Sequence, residues 1–181
     1  VAPVVPRDPR ASGSGGGRGG VRVHLLDVVA GGGWVTLDDA PQVALDQAEA
    51  EMKATGAEVM ARRVDVSSAE QMAQLAAAVK ERFGAPHFVF NTAGVGHGGL
   101  VWENTVADWD WVLGVDLWGV IHGCHYFVPK FKKLGYGAII NVASAAGYTA
   151  APEMTAYNVT KSGVLALSET LSSELKKSKI K

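Results

Sequence analysis

A chain of 181 residues is long enough for one domain with a sizeable core, and its make-up, 48% hydrophobic and 19% charged, is ordinary for a globular protein. The formal net charge of −1 supplies no basic field for nucleic acid and no polybasic patch for a membrane surface, which leaves a small molecule as the expected partner. The single cysteine, Cys124, excludes an internal disulfide, and its apolar surroundings predict a buried, inert thiol.

At the N-terminus, "VAPVVPRDPRASGSGGG" lacks the apolar core of a secretory signal, and no apolar run in the chain reaches spanning length. A cytoplasmic location is expected. Residues 1–33 are rich in Gly, Pro and Arg, an atypical composition that reads as a flexible segment. Strand and helix patterns then alternate. "WVTLD" (residues 34–38) is a short apolar run, and "PQVALDQAEAEMKATG" after it has helical spacing with Gly56 as its stop. "AEVMARRVDV" predicts a second strand, followed by the helix "SSAEQMAQLAAAVKERFG", capped by Ser67 or Ser68 and closed by Gly84. "PHFVFNTAG" predicts a third strand, residues 106–133 a long helix, and "YGAIINVAS" a fourth strand before the helix that carries Tyr157. Near-continuous apolar strands separated by helices predict a parallel sheet covered on both faces, a doubly wound, Rossmann-like α/β fold in a single domain, 1–181. Ligands of such folds bind beyond the carboxyl ends of the strands, where Asp38, Asp65, Asn91 and Ser144 fall.

The chemistry concentrates in "SAAGYTAAPEMTAYNVTKSG". Tyr157 and Lys161 are four positions apart and share one face of a helix. A phenol alone is a poor acid or base at neutral pH, but an ammonium one turn away favours the phenolate and lets it trade protons. Ser144, near the end of its strand, can bring a hydroxyl to the same cleft and hold a carbonyl oxygen. These groups suit proton transfer at an alcohol or ketone, and the hydride must come from a cofactor because no side chain supplies one.

"YNVTK" with the upstream serine, "NTAG" after a strand, "DV" at Asp65 and Val66, and "VDLWGV" in the long helix together resemble the short-chain dehydrogenase/reductase family over roughly residues 34–181. The resemblance implies an oxidoreductase that moves a hydride between NAD(H) and an alcohol or ketone. Tyr157 would be the general acid/base, Lys161 would support it and bond the nicotinamide ribose, and Ser144 would orient the substrate oxygen. Asn91, Ala93 and Gly94 would shape the wall beside the cofactor, with Thr92 where many relatives have a second asparagine. Asp65 would accept from the adenine amino group with the Val66 backbone beside it. Asp38, with Asp39 adding negative charge, would hold the adenosine ribose and favour NAD over NADP. Taken singly, each of these aspartates reads equally well as a solvated turn acid. Subunits in the family pair through the long helix and the Tyr157 helix, which implies a homodimer or homotetramer.

The chain departs from the family in three places. Asp116 in "VDLWGV" stands where the family has an asparagine that helps hold a water behind the lysine. It is a catalytic candidate, able to accept hydrogen bonds and to pair with Lys161 directly. At the N-terminus the family has an apolar strand leading into Thr-Gly-x-x-x-Gly-x-Gly. Here Ser12, Gly13, Gly17 and Gly19 satisfy that spacing as pyrophosphate binders, while a flexible glycine segment accounts for the same residues equally well. At the C-terminus "LKKSKIK" stops where the family continues into a substrate-covering segment and a last strand, so a truncated domain is expected. A non-catalytic or truncated homologue that keeps the scaffold and its subunit contacts is therefore the alternative reading. His122 and His125, three apart with no further ligand cluster in the sequence, point to helix packing rather than to a metal.

Overall fold

The computed structural model describes residues 26–30, 33–37, 42–54, 56 and 58–181. Strands β1 (Leu26–Ala30), β2 (Gly33–Leu37), β3 (Glu58–Arg62), β4 (Phe88–Asn91), β5 (Tyr136–Asn141) and β6 (Lys179–Ile180) form one sheet in the order β3-β2-β1-β4-β5-β6. The pairs β2–β3, β4–β5 and β5–β6 are parallel. The helices are α1 (Gln42–Ala54), α2 (Ala69–Phe83), α3 (Val106–Leu113), α4 (Gly119–Leu134) and α5 (Thr155–Leu175). This is the doubly wound α/β architecture expected from the alternating patterns.

One strand departs from the expected parallel arrangement. β1 occupies the middle of the sheet and runs antiparallel to both neighbours, with Val28 opposite Val35 on one side and Val89 on the other. The chain length between elements dictates this direction. A parallel connection needs a crossover of about a dozen residues, and only Gly31 and Gly32 separate Ala30 from its partner Gly33. Gly-Gly between two apolar runs is a composition that a two-residue hairpin connection takes. Part of the segment expected to be flexible is thus a strand, built on the β-branched pair Val28 and Val29.

The helix boundaries follow local chemistry. Of the two candidate caps for α2, Ser68 performs the role, its hydroxyl accepting from the Gln71 amide at 3.3 Å. The helix ends on Gly84 at φ +78°. Thr105 and Asp108 form a reciprocal capping box at the start of α3. The long helix expected over residues 106–133 is interrupted at Gly114–Trp118 by a π-helical turn between α3 and α4.

α2 packs on α4, and α4 lies against β4 and β5. The main core there includes Met72, Leu75, Val79, Val89, Phe127 and Phe131, all fully buried. A smaller cluster of Val120, Cys124 and Val164 joins α4 to α5, with Ile139 and Leu171 against it. Each fully buried side chain of this size contributes about 1.5–3 kcal/mol, so the two clusters fix α4 firmly beneath the sheet.

Candidate active site

The π-helical turn organises the site. Gly119 N–H reaches back to the Gly114 carbonyl, five residues earlier, so these two glycines stack on one face. Both face the loop after β3. A Cβ on Gly114 would lie 3.3 Å from the Ser67 Cβ, and one on Gly119 only 2.8 Å from the Val66 Cγ2, so the backbone of the long helix rests directly on Val66–Ser67. Asp116 lies within the same turn and is fully buried.

The Asp116 carboxylate joins two elements. Its Oδ1 accepts the Val95 amide at 2.6 Å, which ties down the chain as it leaves β4, and its Oδ2 lies 3.4 Å from the Lys161 ammonium. Lys161, on α5, is 4% exposed. Its Nζ also donates to the Val142 carbonyl at 3.3 Å and stands 5.5 Å from the centre of the Tyr157 ring. A buried ammonium is tolerated only with such partners. The helical spacing of Tyr157 and Lys161 therefore brings ring and ammonium together as expected. Gly94 completes this wall: a Cβ there would meet Lys161 Nζ at 3.5 Å and Asp116 Oδ2 at 3.6 Å.

Ser144 sits three residues beyond β5 in extended conformation and caps a short 3₁₀ turn, Ala145–Gly147, its Oγ accepting the Ala146 amide at 3.2 Å. The turn packs on α5 at Lys161 itself. A Cβ on Gly147 would come within 2.9 Å of the Lys161 carbonyl, and Ser162 Oγ donates to the Gly147 carbonyl at 2.9 Å. Ser144 is thus held against the helix turn that carries Lys161. Among the described residues, no hydrogen bond joins its hydroxyl to that of Tyr157.

Asn91 is buried at the end of β4 and donates to Asn141 Oδ1 on β5 at 2.8 Å; Asn141 in turn donates to Ser168 Oγ on α5 at 2.9 Å. This network braces the strand ends from within. Cys124 lies 3.9 Å from Asn141, and burial pushes its thiol up to about 11, the Asn141 contact offsetting only part of the effect. Asp65 Oδ1 accepts both the Ser67 amide at 2.9 Å and the Ser67 hydroxyl at 2.6 Å. Gly13, Gly17, Gly19 and Asp38 lie outside the described residues.

Two partners carry no sequence signal: Val95 and Val142 act through backbone atoms, which no side-chain pattern announces. His122, expected to serve helix packing, is buried, and its Nδ1 also lies 2.9 Å from the Val66 carbonyl in the loop after β3. Among the described residues there is no group of three or more His, Cys, Asp or Glu placed to hold a metal, and no helix is long and apolar enough to cross a membrane. A groove of ≈310 Å³ between β5, β6 and α5, lined by residues including Ile139, Asn141, Ser168 and Leu171, contains none of Ser144, Tyr157 or Lys161.

Comparison with known proteins gives a consistent result. A family model described as short chain dehydrogenase matches residues 15–181. SadH of Mycobacterium tuberculosis is 33% identical over 162 residues, which cover 90% of this chain and 59% of SadH. D-beta-hydroxybutyrate dehydrogenase of Rhizobium meliloti is 33% identical over 120 residues, 66% of this chain and 46% of that protein. Among solved structures, a short chain dehydrogenase/reductase from Burkholderia phymatum in complex with NAD is 40% identical with a TM-score of 0.77, covering 81% of this chain and 53% of the other. The chain therefore spans about half the length of these relatives. With the family model matching well over half of its residues, the chain belongs to the short-chain dehydrogenase/reductase family.

Proposed function

We propose that this protein transfers a hydride between NAD(H) and an alcohol or ketone, with Tyr157 moving the proton at the substrate oxygen. The observation that carries this reading is the buried Lys161 ammonium, held by Asp116 and the Val142 carbonyl within 5.5 Å of the Tyr157 ring. NAD, when bound, supplies the hydride acceptor or donor that no side chain can provide.

The chain's own residues have separate tasks. Tyr157 gives its phenolic proton to a carbonyl oxygen in reduction and takes the hydroxyl proton in oxidation. Lys161 sets its ammonium beside the Tyr157 ring and would bond the nicotinamide ribose, and Asp116 keeps that charge in place as a positioning residue. Ser144 presents its hydroxyl to the substrate oxygen, held there by the 3₁₀ turn against α5.

The residues present fit the dinucleotide at two points. Gly94 leaves the wall beside Lys161 free of a side chain. Asp65 spends one oxygen on Ser67 and keeps Oδ2 to accept from an adenine amino group. The sequence adds Gly13, Gly17 and Gly19 for the pyrophosphate and Asp38 for the ribose, where a carboxylate repels a 2′-phosphate and so favours NAD over NADP.

The test is NAD reduction with a panel of secondary alcohols, followed by absorbance at 340 nm. Tyr157→Phe is expected to lower the rate by about 10²–10⁴-fold while leaving NADH binding within about twofold. Asp38→Ala is expected to raise the use of NADP relative to NAD. A Tyr157→Phe protein as active as the parent would remove Tyr157 from the chemistry, and an unchanged cofactor ratio would remove Asp38 from the site.

A further inference from the structure

The position of His122 has a consequence that reaches Asp65. The Val66 oxygen is a carbonyl and can only accept, so the 2.9 Å contact requires the proton on His122 Nδ1. The ring has little freedom to turn away. It lies between Trp118 at 5.7 Å and Tyr126 at 6.4 Å between centroids, one helical turn to either side.

The Val66 carbonyl and the Ser67 N–H belong to one rigid peptide plane. His122 holds the oxygen of that plane, and Asp65 Oδ1 accepts from its N–H at 2.9 Å. A relay therefore runs from the His122 ring through a planar peptide to the Asp65 carboxylate. The neighbouring packing reinforces it, since Gly114 and Gly119 bring the helix backbone against the same two residues.

We propose that His122 is a positioning residue for purine recognition: by fixing the Val66–Ser67 peptide it orients the Asp65 carboxylate, so that Oδ2 selects an adenine amino group over the oxo group of hypoxanthine. The proposal rests on the dinucleotide reading above and goes beyond it in assigning selectivity to a histidine that touches no ligand. An amino group donates to the carboxylate, whereas an oxo group at the same place can only accept, so a fixed carboxylate discriminates and a freely turning one does not.

The experiment is calorimetric titration of the full chain with ADP-ribose and with its hypoxanthine counterpart, for the parent protein, His122→Leu and His122→Asn. Asparagine can place an amide N–H close to where Nδ1–H lies, so it is the conservative replacement. The parent is expected to prefer ADP-ribose by about tenfold, as one charge-assisted hydrogen bond allows. His122→Leu is expected to bring the two affinities within about twofold, and His122→Asn to recover most of the preference. General loosening of the fold would weaken both ligands together, so the ratio separates positioning from stability.

Binding by the parent with an unchanged ratio in His122→Leu would overturn this proposal alone. Failure of the parent to bind either compound would remove the dinucleotide reading and this proposal with it. An independent readout needs no ligand: ¹⁵N spectra of the His122 ring are expected to show the Nδ1–H tautomer, and an Nε2–H tautomer would overturn the relay.

Discussion

A carboxylate and an ammonium buried together carry high stakes, because each makes the other's burial tolerable. Asp116 and Lys161 are both nearly inaccessible, with side-chain exposures of 0% and 5%, and lie 3.4 Å apart. Asp116→Ala leaves the ammonium without its charged partner and is expected to lower stability by about 3–5 kcal/mol in urea unfolding. Asp116→Asn keeps an acceptor for the Val95 amide and is expected to lose less than half as much. Equal losses in both variants would show that the charge, which both remove, carries the whole effect and the Val95 hydrogen bond none of it.

Cys124 is buried where α4 meets α5. Its thiol is raised by burial to about 11 from the ordinary 9.0, so the folded state resists ionisation that the unfolded chain accepts. The contribution is fully present below pH 9 and is lost as pH rises toward 11. Relative to Cys124→Ala, the parent is expected to lose about 2 kcal/mol over that interval, and parallel pH profiles for the two proteins would contradict it. At the residue scale, the meeting of Tyr157 and Lys161 was legible because side chains four positions apart share a helix face. The Val142 carbonyl that holds Lys161 and the Val95 amide that holds Asp116 were not, since every residue type offers the same backbone groups.

Among the elements, the π-helical turn is the one on which the site most depends. It places Gly114 and Gly119 together against Val66–Ser67 and buries Asp116. Gly119→Ala sets two effects against each other: alanine favours the helix by about 1 kcal/mol, while its methyl would meet a stiff, buried valine at 2.8 Å. Overpacking of this kind typically costs about 1–3 kcal/mol, so a net loss in midpoint of denaturation is expected, and a stabilised variant would show that the helix can lift from the loop freely. The sequence revealed the long helix through its period but not the turn, because "GVDLWG" continues the apolar pattern of the helices on either side while the hydrogen bonding shifts to i+5. β1 was hidden for a different reason: "LDVVAGGGWVTL" carries a hairpin signal, but it follows a glycine-rich segment after which the family pattern calls for a helix.

At the level of the whole molecule, alternation of apolar strands and amphipathic helices was enough to specify a doubly wound sheet, since few other arrangements bury both faces of such strands. What it could not specify was strand direction at the centre, which depends on two residues of connection. Trp118 on the long helix and Val159 on α5 are 52% and 47% exposed, and we propose that these helices meet a second copy of the chain, as the family's pairing implies. Light scattering is expected to give at least twice the monomer mass, with Trp118→Glu shifting it toward the monomer; a monomeric parent would remove the proposal.

The proposed dinucleotide would have to span Asp65, Gly94 and Lys161, and its most direct test is a fluorescence titration of the folded chain with NADH. Saturable enhancement of nicotinamide emission, retained in Tyr157→Phe and weakened in Asp65→Ala, is the predicted result. A folded chain that leaves NADH fluorescence unchanged at millimolar concentration would contradict it.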